Sequence, residues 1–361
     1  MTSFLSARLR GIAPYVPGEQ PKSGVRVKLN TNENPYPPSV RTLRALSPVP
    51  RPMELYPDPN CHMLRTAIAG TYGLEPEQVF TGNGSDEVLA FAFMAFFDSV
   101  AAPDITYSFY PVWARLYGIG YSTLPLNNDF TVPVKKFIDI RKNIVLANPN
   151  APTGIVLSLA EIEVIVRTNA DKVIIIDEAY MDFDTGSNSA IRLIDRYANL
   201  LVVRTFSKSY SLAGLRVGYA LGQPQLIRGL ETVKNCVNSY TLGTLAQVGA
   251  EAAIRDTAHF EQCTARIIAT RERTEAALYK LGFECCPSSA NFLFISHPKG
   301  GSGASSGTPH PLHASVIQTK LREAGILTRY FNLPRIDNYL RVTIGTDDDM
   351  DKFTERLAEL M

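Results

Sequence analysis

Short, continuous apolar runs recur through the middle of the chain: NIVLA (Asn143 to Ala147), KVIII (Lys172 to Ile176) and LLVV (Leu200 to Val203). Amphipathic stretches sit between them, from Leu159 to Arg167 and from Ile191 to Tyr197, and predict helices. Apolar strands alternating with helices imply a largely parallel sheet covered on both faces. Such sheets carry their chemistry at the carboxyl ends of the strands. Upstream, Asn60 to Thr71 predicts a helix closing at Gly73, Gln78 to Thr81 a short strand running into Gly82, and Ser85 to Phe97 a largely buried helix. Downstream, Gln247 to Leu281 predicts one long helical spine. A strand (Ala290 to Ile295), a Gly/Ser loop (His297 to Pro311), a helix (Leu312 to Ala324) and a strand (Tyr339 to Ile344) follow. The chain divides into an extended Gly/Pro-rich arm (1–29) packing on the small domain, a large α/β domain (30–250) and a smaller α+β domain (251–361).

At 361 residues the chain suits a large domain plus a small one. Its 36 basic and 35 acidic residues leave a formal charge of +1, so neither nucleic acid nor a membrane surface is implied as a partner. Five cysteines without a CxxC spacing, and five histidines without a ligand spacing, argue for no metal and for a reducing cytoplasm. No stretch has the form of a signal peptide or a membrane span.

Three stretches could carry chemistry. In VRTFSKSYSLAGLR (Val203 to Arg216), hydroxyls crowd around Lys208 and an arginine follows eight residues later. Asp177, in DEAY, ends a buried strand, where a carboxylate is costly without a partner. The same form would suit a Walker B strand, but the chain has no Gly-Lys dipeptide and hence no P-loop. TGNGSDE (Thr81 to Glu87) is a strand, glycine turn and helix start, which forms an anion site, although Glu87 replaces the third glycine of a dinucleotide fingerprint. The GxSxG string at Gly303 to Gly307 lacks a strand before it and a helix after it, and is a chance match. One lysine, one buried carboxylate, an arginine and a glycine–helix anion site at neighbouring strand ends together suit pyridoxal phosphate.

With LNTNENPYPPS (Leu29 to Ser39), YPDP (Tyr56 to Pro59), TYSFY (Thr106 to Tyr110), NPNAPTG (Asn148 to Gly154) and LRVTIGT (Leu340 to Thr346) in the same order, the chain resembles the fold-type I pyridoxal-phosphate aminotransferases, and among them the histidinol-phosphate aminotransferases. The resemblance implies an α/β large domain with a mostly parallel mixed sheet between helices, at 30–250, that holds the cofactor. It makes Lys208 the residue bonded to the cofactor and the proton shuttle, and Asp177 the partner of the ring nitrogen. Asn148 and Tyr180 would bond the ring's phenolic oxygen, and Tyr107 would stack on the ring. Gly84, Ser85, Asp86 (through its backbone), Thr205, Ser207 and Arg216 would form the phosphate cup. Tyr56 would reach the cup of a second copy, implying a homodimer. Asn32, Asn34, Arg329 and Arg341 would face the substrate. The implied reaction moves an amino group between histidinol phosphate and 2-oxoglutarate. An aromatic amino-acid aminotransferase and a threonine-phosphate decarboxylase remain alternatives. Two positions depart from the pattern: Ile105 stands for a common proline, and Ala151 for a second asparagine.

Overall fold

The computed structural model describes residues 4–6, 9–21, 23–47, 54–301 and 309–361. In chain order its elements begin with β1 (Val27–Lys28), α1 (Val40–Leu46), α2 (His62–Tyr72), β2 (Val79–Gly82) and α3 (Gly84–Phe96). They continue with β3 (Ser99–Pro103), α4 (Tyr110–Tyr117), β4 (Gly120–Leu124), β5 (Asn143–Ala147), α5 (Leu159–Thr168), β6 (Ile174–Asp177) and β7 (Leu200–Thr205). After β8 (Gly218–Gly222) come α6 (Pro224–Val237), α7 (Thr244–Ile254), α8 (Thr257–Lys280), β9 (Glu284–Cys285) and β10 (Phe292–Ser296). The last are α9 (Ala314–Glu323), β11 (Ile326–Leu327), β12 (Arg329–Tyr330), β13 (Leu340–Thr343) and α10 (Asp347–Glu359).

Seven strands form the main sheet in the order β2-β8-β7-β6-β5-β3-β4. All neighbours are parallel except β8, which runs against both β7 and β2. The period of two along the central strands sorts two cores. Ile144, Leu146, Ile174, Ile176, Leu200 and Val202 face α2, α5 and α7. Val145, Ile175, Leu201 and Val203 face α3, α4 and α6. Both faces are buried, which explains why these strands read as unbroken apolar runs. The same alternation sends Asp177 and Glu178, consecutive in sequence, to opposite sides of the sheet.

A second sheet, β12-β13-β10-β9, lies in the C-terminal third, and β1 pairs in parallel with β11. Val27 and Leu29 share a core with Ile267, Leu293, Leu321, Val342 and Phe353. The first residues are thus threaded into the part of the fold built from the last hundred.

The expected elements form with shifted ends, and four expectations change. Ile191 to Tyr197 is not a helix but a single 3-10 turn, Ala190–Leu193. There the Glu178 carboxylate accepts the Ala190 amide at 2.6 Å and the Ser189 hydroxyl at 2.8 Å, which pins the segment to the sheet. The spine is two helices, because Asp256 accepts the His259 amide and starts a new one after α7. β3, the polar edge strand β4 and the glycine-bounded β8 carry weak signals and were not expected. His313, one of the five histidines to which the sequence assigns no role, caps α9 by accepting the Ser315 amide. The Gly303–Gly307 string lies outside the described residues.

Gly218 opens β8 where the sheet presses on the start of α3. A Cβ there would stand 2.2 Å from the Ser85 amide nitrogen and 2.4 Å from the Gly84 carbonyl carbon. Both are backbone atoms that cannot swing away. Gly218→Ala is expected to lower stability by about 2 kcal/mol, as overpacking does. Urea unfolding followed by circular dichroism measures it, and an unchanged midpoint would mean that α3 yields without cost.

Candidate active site

A cavity of about 660 Å³ opens at the carboxyl ends of β5, β6 and β7 and reaches the second sheet. β6 delivers Asp177 to it, β7 ends in Thr205, the turn after it delivers Ser207 and Lys208, and the first turn of α3 delivers Ser85 and Asp86. Tyr180, Tyr107 and Arg216 line the same cavity, with Arg329 and Arg341 from the second sheet. Most of the residues expected to act together from sequence therefore do meet.

Asp177 is 5% exposed. Its Oδ2 accepts the Tyr110 hydroxyl at 2.9 Å and its Oδ1 the Ala179 amide at 3.3 Å. Burial pushes its carboxyl up to about 6, with the two hydrogen bonds opposing. Among the described residues no cation pairs with it. Its neighbour Glu178, on the other side of the sheet, is bound by Arg204 at 2.7 Å. Asp177 is thus a buried anionic site prepared for a positive group.

Lys208 donates from Nζ to the Thr31 carbonyl at 3.2 Å and lies 5.7 Å from the Tyr180 ring centre. Burial first, then the positive field of Arg341, brings its ammonium down to about 8, while Asp86 and Glu33 pull the other way. A substantial neutral fraction near physiological pH makes it competent as nucleophile and base.

The anion cup is tight. Thr205 Oγ1 donates to Ser207 Oγ at 3.1 Å, and Arg216 Nη1 donates to the same oxygen at 3.3 Å. Arg216 also pairs with Asp86 at 3.2 Å. Gly84 has φ +80°, and a Cβ on it would stand 2.5 Å from Arg216 Nη2. Only glycine lets the guanidinium close over the helix start. Asp86 was credited with its backbone alone. Its carboxylate in fact does two jobs, holding Arg216 and accepting the Tyr107 hydroxyl at 2.8 Å.

Four expected residues do not border the cavity, and one of them, Gly84, sits beneath Arg216. Asn148 is fully buried and turned to Leu157, accepting its amide at 2.7 Å and donating to its carbonyl at 3.4 Å. Its side chain holds the loop, and the wall there is made by Ala147, Ala151 and Pro152. Asn34 donates to the carbonyls of Lys208 at 3.0 Å and Ser209 at 3.1 Å, so it grips the lysine's backbone rather than a substrate. Tyr56 is 80% exposed and stacks on Tyr240 at 4.5 Å.

Asn32 does border the cavity, with its amide donating to the Tyr180 hydroxyl at 3.0 Å. Arg341 donates to the Asn30 carbonyl at 3.0 Å, yet among the described residues its buried Nε has no partner. The Phe331 ring lies 5.7 Å from the Arg341 guanidinium and 5.6 Å from that of Arg329. Sequence reasoning missed Tyr15, Thr31 and Tyr110. Tyr15, in the arm, lines the cavity and stacks on Phe109 at 4.5 Å. An aromatic amid prolines and glycines was the only signal it offered.

Residues 25–357 match the family described as aminotransferase class I and II. The chain belongs to that family. It is 49% identical over 363 residues to a histidinol-phosphate aminotransferase of Clostridium acetobutylicum, covering 99% of each. It is 48% identical over 369 residues to histidinol-phosphate aminotransferase 2 of Dechloromonas aromatica, covering 100% of this chain and 99% of the relative. In fold it matches the Sinorhizobium meliloti histidinol-phosphate aminotransferase solved with pyridoxal-5′-phosphate, with a TM-score of 0.87 at 21% identity over 100% of this chain and 98% of that one. The protein is thus an aminotransferase. Among the described residues no helix is long and apolar enough to cross a membrane, and no cluster of His, Cys, Asp or Glu is arranged to hold a metal.

The aminotransferase's buried Asp177 has a pH signature. Below about pH 4 it is protonated in both folded and unfolded chains and costs nothing. Because its folded value, about 6, lies above the ordinary 3.8, apoprotein stability falls as pH rises between them. Above that window the cost is about 3 kcal/mol, at roughly 1.4 kcal/mol per pKa unit. Asp177→Asn apoprotein is expected to melt higher than wild type at pH 7.5, with the two converging near pH 4. A variant no more stable at pH 7.5 would show that the carboxylate is already compensated.

Proposed function

We propose that this aminotransferase binds pyridoxal 5′-phosphate in the cavity. With it, the chain moves the amino group of L-histidinol phosphate to 2-oxoglutarate, giving imidazole-acetol phosphate and L-glutamate in histidine biosynthesis. The substrate assignment is carried by the near-half identity, over the whole length, to relatives named for that activity. Five free cysteines suit a cytoplasmic setting.

The residues fit the cofactor. Asp177, buried without a counter-cation, suits a protonated pyridine nitrogen. The Ser85 and Asp86 amides at the start of α3, with Thr205, Ser207 and Arg216, suit a phosphate. When bound, the cofactor supplies an electron sink that makes the substrate's α-proton removable. The rest falls to the chain. Lys208 would hold the cofactor through Nζ, and the same nitrogen, when free, would carry the substrate's α-proton. Tyr180, its hydroxyl oriented by Asn32, would serve the cofactor's phenolic oxygen, while the Asn148 side chain is turned to Leu157. Tyr107, held by Asp86, would stack on the ring. Arg341 and Arg329, on the same cavity, would receive the substrate's anionic groups.

We further propose a homodimer. Val40, Leu43, Leu55, Tyr56, Met63, Val237 and Tyr240 are exposed apolar side chains on α1, α2, α6 and the adjoining segments. Arg216 remains 45% exposed, leaving the cup open to a group from outside the protomer. A second copy would cover the apolar side chains and bring its Tyr56 to this cup.

Two experiments test these readings. Histidinol phosphate added to the cofactor-loaded enzyme without oxo acid is expected to bleach the visible absorbance rapidly, and Lys208→Ala is expected to abolish turnover. Bleaching mainly with phenylalanine, or carbon dioxide release from threonine phosphate, would move the assignment. For the dimer, Lys208→Ala and Tyr56→Ala proteins, each impaired alone, are expected to regain activity when unfolded and refolded together. Such a hybrid holds one site with both residues intact, and no recovery would place Tyr56 outside the partner's site.

A further inference from the structure

Behind the active-site wall lies a buried polar cluster that the proposed chemistry does not use. Arg204 leaves β7 on the face opposite Thr205. Its Nε and Nη2 both donate to Glu178 Oε2, at 3.0 and 2.7 Å, and Nη2 also reaches Ser189 Oγ at 3.1 Å. Nη1 pairs with Asp182, whose other oxygen accepts the Ser209 hydroxyl at 2.5 Å. The side chains of Arg204, Glu178 and Asp182 are 6%, 0% and 12% exposed, and none of the three borders the cavity.

One positive and two negative groups removed from water form a costly core. Apolar side chains of the same volume would stabilise the fold at least as well. What apolar packing cannot supply is direction. The planar fork fixes Glu178 and Asp182 in one frame, and a lysine could not reproduce it. Glu178 follows Asp177 in the chain, and Ser209 follows Lys208. Asp177 and Lys208, which line the same cavity, are therefore each tethered, through a neighbour, to one guanidinium. From the opposite side Asn34 holds the carbonyls of Lys208 and Ser209.

We propose that Arg204, Asp182 and Ser209 form a positioning clamp that sets the placement of Lys208 relative to Asp177 from behind the sheet. Arg204, Asp182 and Ser209 are positioning residues, since none of them lines the cavity. The proposal rests on the assignment of Lys208 as the reacting lysine.

Removing Arg204 would strand Glu178 as an unpaired buried charge and could unfold the chain, so the decisive variants are Ser209→Ala and Asp182→Asn. In the apoprotein the unprotonated Lys208 amine reacts with cyanate, and peptide mass spectrometry gives the pH midpoint of that reaction. In wild type it is expected near 8. The charges acting on Nζ come from Arg341, Arg216, Asp86 and Glu33, with Tyr180 nearby, and the variants leave all of these in place. Each variant is expected to raise the midpoint, as the loosened lysine gains water, with the melting temperature little changed. In the loaded enzyme kcat is expected to fall by about tenfold or more, since small misplacements of a reacting group are expensive, while KM changes little. The double variant is expected to be no worse than the poorer single one, because Ser209→Ala removes, and Asp182→Asn weakens, the one link between Ser209 and Asp182. An unmoved cyanate midpoint overturns the clamp whatever happens to activity, and so do losses that multiply in the double variant. Failure of wild-type Lys208 to take up pyridoxal phosphate would instead overturn the lysine's assignment, and the cyanate midpoints would still report on the clamp.

Discussion

A carboxylate buried at the end of a β-strand must find a positive partner or raise the cost of folding, and this protein places two such groups side by side. Glu178 is satisfied from within, by Arg204 and the Ser189–Ala190 turn. Among the described residues, Asp177 is satisfied only by a tyrosine hydroxyl and one amide. The difference follows from strand alternation, which gives one residue to the closed side of the sheet and the other to the cavity. Much else in the site is arranged around that open charge. Tyr110 lies fully buried to reach it, and Lys208 faces the same cavity from the next strand.

The field in the cavity is biased the opposite way elsewhere. Arg216, Arg329 and Arg341 line the same cavity, with Arg341 kept below the usual guanidinium range by burial. This distribution does two things at once. It discourages a proton on Lys208, and it offers the anionic groups of a small molecule several positive partners. Asp86 moderates it by taking part of the Arg216 charge while orienting Tyr107.

Much of this was legible in the chain because the physics was local. Both-face burial produced the unbroken runs of β5, β6 and β7, and their ends located Asp177 and Lys208. The glycine turn before α3 announced an anion site for the same reason. What could not be read depended on partners distant in sequence. Nothing within NPNAPTG reveals that Asn148 turns to Leu157, nor does the arm reveal that Asn34 spends its amide on carbonyls 174 and 175 residues away. Tyr15 was missed because an irregular arm carries no periodicity. β4 and β8 were missed because an edge strand may be polar and a glycine-bounded one has little side-chain pattern.

The pairing of β1 with β11 has a consequence for how the chain comes to be folded at all. Val27 pairs with Ile326, so nearly three hundred residues separate the two partners. A ribosome releases β1 well before the strand on which it docks. The main sheet, whose strands all lie between Val79 and Gly222, can assemble while β1 is still without its strand partner. Thr31 and Asn34 lie only a few residues beyond β1, so the lysine loop receives these contacts late. Completion of the reactive centre thereby waits on the synthesis of β11.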